Sequence, residues 1–120
     1  MVPEQSRVSD LSSLTKTQLE TLKIHRLVAK HEINVATALK LRKDTAISRG
    51  TYYRILGQAK KNVLESLFTV ATAVQIGILR PDDVEKLLAT VALIPEDTDP
   101  AKLAEVTVLV RTIAQRIVML

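Results

Sequence analysis

Cysteine and tryptophan are absent from the 120 residues, and glycine, proline and aromatic residues number only three, four and three. Without cysteine there are no disulfides, no thiolate metal sites and no cysteine nucleophile. So few glycines and prolines leave little room for turn-rich β structure. The three aromatics are Tyr52, Tyr53 and Phe68, so the 47% of apolar residues are mostly Leu, Val, Ile and Ala, a palette for packed helices. No run approaches the eighteen or so apolar residues that a membrane span needs, and the stretch from Met1 to Arg7 has no apolar signal core. These features predict an all-α, cytoplasmic protein without a membrane segment. A chain of this length suits one domain and is too short for a catalytic domain plus a separate binding domain.

Charge is present but unevenly placed. From Lys40 to Lys61 seven basic residues stand against Asp44 alone, a net +6, whereas from Pro81 to Glu105 seven acids outweigh Lys86 and Lys102, a net −5. Within a chain of net +4 this makes a dipole whose positive pole would select a polyanion. A solvated helix face is the bland reading of such a run. His25 and His31 lie six apart, off the three-or-four spacing that lets one helix face offer both to a metal, so no metal site and no cofactor are expected.

Residues 1–14 mix Pro, Ser, Asp and Glu without periodicity and are expected to form a loose arm ahead of a single helical domain over 15–120. Thr15 with Gln18 makes a capping box, and Leu19, Leu22, Ile24, Leu27 and Val28 then recur at helical spacing to about Lys30. Asn34 is a good N-cap for a second helix that runs to about Lys43, with Val35, Ala36, Ala38 and Leu39 on its close-packing face. Ser48 can cap a third helix, since its hydroxyl can accept from a backbone N–H two or three residues on.

Short helix, tight connection and new helix together make the layout of a helix-turn-helix, placed here at about 33–57. The phrase Ile47-Ser48-Arg49-Gly50-Thr51-Tyr52-Tyr53-Arg54-Ile55-Leu56 resembles the recognition helix of the resolvase and invertase DNA-binding domains and of many small bacterial and archaeal regulators. Ala46 stands where that pattern has a turn glycine, and Arg42-Lys43-Asp44-Thr45 lengthens the link, a change that loop closure tolerates because its entropy grows slowly with length. The resemblance implies double-stranded DNA as partner. It does not carry recombination with it, because the catalytic domain of those enzymes has no counterpart here.

The residue types suit DNA on their own account. A helix fits the major groove and presents its first turn to base edges. Arg49 has the fork for guanine O6 and N7, Ser48 and Thr51 are short enough for phosphate or base contacts, and Gly50 permits close backbone approach. Arg54, Gln58 and Lys61 form one stripe and Arg49, Tyr53 and Lys60 another. Tyr53 and Arg54 are expected on phosphates, Tyr52 and Ile55 against the second helix. Lys40, Arg42 and Lys43 complete the DNA-binding set.

No proline interrupts the chain between Ser48 and Pro81, so the recognition helix is expected to continue to about Ile76 and to end at Gly77. Its second half has one charge in the thirteen residues from Leu64 to Ile76, which predicts burial in a core or against a second chain. Pro81 with Asp82 and Asp83 starts a fourth helix that should bury Val84, Leu87, Leu88 and Val91 and end near Ile94. Asp99 and Pro100 start a fifth, in which Leu103, Val106, Val110, Ile113, Ile117 and Leu120 step alternately by three and four. Residues 58–120 are thus expected to form a bundle that dimerises through Leu67, Val70, Val74, Val106, Val110, Ile113 and Ile117.

The reading that follows is a homodimeric helix-turn-helix DNA-binding protein, a transcriptional regulator working in the major groove. The alternative is a helical interaction or assembly protein, or an RNA-binding protein, using the same basic face, although the aromatic platform common in RNA readers is missing. No glycine-rich phosphate loop and no carboxylate–histidine cluster points to an enzyme. Target sequence, repression or activation, and any effector ligand are not written in such patterns, and neither is whether the C-terminal helices pack within the chain or across a dimer.

Overall fold

The computed structural model describes residues 12–41, 47–94 and 100–119, with backbone alone for 100–103. Among the described residues all regular structure is helical: α1 Lys16–Ala29, α2 Val35–Lys40, α3 Arg49–Gln75, α4 Pro81–Ala92 and α5 Pro100–Val118. They divide into two units, Ser13–Ser66 and the residues from Leu67 onward, with the division falling inside α3.

Local chemistry sets the helix ends. At α1 the capping box is complete: Gln18 N–H donates to Thr15 Oγ1 at 3.1 Å, and Thr15 N–H to Gln18 Oε1 at 3.2 Å. The helix stops where His31 adopts the left-handed conformation, φ 61°. There His31 N–H donates to Val28 O at 3.0 Å and Glu32 N–H to Leu27 O at 2.9 Å, the paired bonds of a Schellman ending. Gly77, at φ 84°, ends α3 in the same way, with Gly77 N–H on Val74 O and Ile78 N–H on Ala73 O. Asn34 caps α2, its Oδ1 accepting from Thr37 N–H at 2.8 Å. That helix ends at Lys40, three residues short of the expected Lys43. Its last turn closes on Leu41, which is half exposed and whose N–H donates to Thr37 O and Ala38 O, both at 3.2 Å.

In the first unit Ile24 of α1, Ala38 of α2 and Tyr52 and Leu56 of α3 are buried together, with Leu22, Val28, Ile33, Leu39 and Ile47 around them. Each of the three helices contributes its apolar stripe to this core, which is what holds the start of α3 in place. Asn62 ties the chain ahead of α1 to α3: its Nδ2 donates to Ser13 O at 3.0 Å and to Gln18 Oε1 at 3.3 Å, and its Oδ1 accepts from Ser13 Oγ at 2.7 Å.

In the second unit α4 packs on α5. Pro81 opens α4, with Asp82 and Asp83 in its first turn, where the helix dipole favours them. Asp83 also accepts from Arg116 of α5. Val106 of α5 is buried, while Val84, Leu87 and Val91 of α4 are only half-buried. Leu88 corrects the expected α4 set: it is 63% exposed, because α4 meets its neighbour along one edge and a residue next to Leu87 is turned roughly 100° away.

Candidate nucleic-acid interface

The first two turns of α3 are built from Ser48 outward. Ser48 Oγ accepts from Thr51 N–H at 3.1 Å and donates to Thr51 Oγ1 at 2.9 Å, while Ser48 O accepts from Tyr52 N–H at 3.0 Å. The N-terminus is thereby closed, and the Thr51 hydroxyl proton is left to point elsewhere. From there α3 separates into two faces. Tyr52, Ile55, Leu56 and Ala59 are buried. Arg49, Gly50, Tyr53, Arg54, Gln58, Lys60 and Lys61 are exposed, and Thr51 is half-buried between the two sets.

Beside this surface, α1 and α3 are locked by a polar pair. His25 Nδ1 lies 2.9 Å from the Tyr52 hydroxyl, which donates to it in the tautomer with the ring proton on Nε2. Burial lowers the His25 pKa below its ordinary 6.5, and the nearby Lys60 ammonium lowers it further. Burial, helped by Tyr53, raises that of the Tyr52 phenol. Both shifts keep the pair neutral. Tyr53 packs edge-on against Tyr52, centroids 5.5 Å apart, and against His25 at 6.4 Å, which fixes its ring while 45% of the residue stays exposed.

The residues expected to meet DNA fall as follows. Lys40 is exposed at the end of α2. Ser48, Arg49, Gly50, Tyr53, Arg54, Gln58 and Lys61 share the outer side of α3's first half. Lys61 lies 3.7 Å from Glu65, an exposed pair of the kind that contributes little and is readily exchanged. Arg42 and Lys43 lie outside the described residues, as does the turn at Ala46. Of the residues expected at a dimer seam, Leu67 is 63% exposed; Val70, Val110 and Ile117 are about 40% exposed; Val74 and Ile113 are half-buried and Val106 is buried against its own chain.

The sequence spacing that excludes His25 as a metal ligand does not reveal its role in this surface; its place one turn on from Thr21 and beside Ile24, on the inner side of α1, is the signal for a core contact. Phe68, in the other unit, is 65% exposed. Among the described residues no group of three His, Cys, Asp or Glu could hold a metal, and no helix is long and apolar enough to cross a membrane. No known protein family matches the chain, and no curated protein or solved structure shows significant similarity to it.

Proposed function

We propose that the chain is a helix-turn-helix DNA-binding protein, a transcriptional regulator that lays the first half of α3 in the major groove and acts in the cytoplasm as a homodimer. The observation that carries the reading is the division of that half-helix. Tyr52, Leu56 and their buried neighbours anchor it, while Arg49, Tyr53, Arg54, Gln58 and Lys61 stand outward with no acid among them. Arg49 takes the guanine edge, and Ser48, Thr51, Tyr53, Arg54 and the flanking Lys40, Arg42 and Lys43 take phosphates. Gly50 is compatible with the same reading: a Cβ added there would meet nothing within 4 Å, as at Gly57, and without one the backbone is open to close approach by a groove.

The homodimer rests on the apolar side chains that α3 leaves uncovered, Leu64, Leu67 and Phe68 among them. Two copies would present two recognition helices to a two-fold site, and coupling two weak contacts raises affinity without new chemistry.

Titrating duplex DNA over a salt series tests the function. Arg49→Ala should cost about 1–3 kcal/mol and relax base preference, whereas Arg54→Ala should weaken all sequences alike and flatten the salt slope by about 1. Absence of binding at low salt, or parental binding by both variants, overturns the reading.

A further inference from the structure

The segment Ser13–Ser66 carries eleven Lys and Arg against four Asp and Glu, a net +7. Three of these cations lie on α1 and a fourth, Lys30, is its C-cap; none has a part in the reading above. Lys16, Lys23, Arg26 and Lys30 are all exposed and succeed one another by seven, three and four residues. At about 100° per residue they fall within an arc of roughly 80°, on the side of the helix away from the buried Thr21 and Ile24.

Helix stability does not explain the stripe. Cations favour the C-terminal end of a helix, which accounts for Arg26 and Lys30. Lys16 is the first residue of α1, at the positive end of the dipole, and no acid accompanies it in the first turn. An acid-free first turn is also found in α2, α3 and α5, and only α4 carries acids there, Asp82 and Asp83.

The stripe begins beside the residue of α1 that borders the α3 surface. His25 meets α3 at Tyr53 and feels the charge of Lys60, and Arg26, the next residue, lies roughly 100° further round α1, with Lys30, Lys23 and Lys16 beyond it.

We propose that this stripe of α1 is a second contact surface, which grips phosphates of the same DNA duplex that α3 reads, on the backbone beside the groove α3 enters. The inference rests on the DNA-binding reading and adds to it a sequence-independent share of the affinity, in which each neutralised phosphate contributes about 0.9 to the slope of log K against log salt.

The test measures that slope on a single duplex for the parent chain, for a triple variant and for Lys16→Glu. The triple variant, Lys16→Gln with Arg26→Gln and Lys30→Gln, leaves in place Lys23, which is engaged within the protein. The expected result is a slope shallower by about 1 to 2.7 in the triple variant, with the parental order of preference among sequences. Lys16→Glu should raise the melting temperature, because an acid suits that end of α1, and yet bind DNA more weakly. This opposition of sign separates a DNA contact from a structural role and keeps the test decisive should the triple variant fold poorly. Parental slope and affinity in Lys16→Glu and in the folded triple variant overturn the inference and leave the α3 reading standing. So does a loss seen only in capture of a second duplex, which would place the stripe on other DNA. A parent chain that binds no DNA overturns both.

Discussion

Tyr52 has no exposed surface, and its hydroxyl finds in His25, across the gap from α3 to α1, the partner that a buried phenol needs. Tyr52→Phe should therefore destabilise the first unit by about 1 kcal/mol by leaving His25 Nδ1 without its donor, while the ring packing is kept. The pair also fixes a pH dependence. With the His25 pKa lowered in the folded chain, the unfolded chain takes up the proton first as pH falls. Its contribution is thus fully present above about pH 6.5, declines as pH drops below that value, and stops changing once the folded group is protonated too. Denaturant melts at pH 7.5, 6.5 and 5.5 measure both effects; a midpoint independent of pH in the parent, and unchanged in Tyr52→Phe, would refute them. The burial of Tyr52 was legible from its place among Ile55 and Leu56, because helical spacing is a local property. Its partner was not, since the two residues are 27 apart in the chain and only the packing of α1 on α3 brings them together.

At the scale of the elements, helix starts were the most legible feature, because each depends on a few adjacent residues: Thr15 with Gln18, Asn34, Ser48, and Pro81 with its two aspartates. Ends were less so. Gly77 announces the end of α3 by its composition, but α1 ends by the same hydrogen bonds on a histidine, and nothing in the residue type signals a left-handed His31. That position predicts a stabilising substitution. His31→Gly should raise stability by about 1 kcal/mol, since glycine enters the left-handed region without the steric penalty of a Cβ and both Schellman hydrogen bonds remain. Thermal unfolding of the two chains decides it, and a lower midpoint in His31→Gly would show that the imidazole makes a contact worth more than the strain. Exposure of Leu88 shows a second limit of periodicity. An i, i+3, i+4, i+7 set identifies the apolar side of a helix but not how wide a strip its neighbour covers, and α5 covers the Val84–Leu87–Val91 edge only in part.

For the whole molecule the question is what covers the apolar side chains that neither unit covers for itself. In the second unit Leu67 and Phe68 of α3 are each more than half exposed, and Ala71 follows them at helical spacing. Lone exposed apolar residues are ordinary, but a contiguous line of large ones marks an interaction surface. Their low polarity was legible in the sequence. Whether they would be buried was not, because burial depends on partners that hydropathy does not name. The apolar seam of α5 illustrates the ambiguity, since Val106 is covered by its own chain while Val110 and Ile117 stand partly open. If a second copy covers α3, Phe68→Asp should leave each monomer folded, because the side chain it replaces is already 65% in solvent, and yet abolish association. Sedimentation over a concentration series would then show a dimer for the parent and a monomer for the variant, with equal helix content. The same variant should bind a two-fold DNA site more weakly although Phe68 lies nineteen residues beyond Arg49 on α3 and touches none of the DNA-facing side chains, because loss of the second copy removes the coupling between two half-sites. A parent chain that sediments as a monomer at every concentration would rule out the dimer and reduce the reader to a single α3, held on DNA by its own contacts alone.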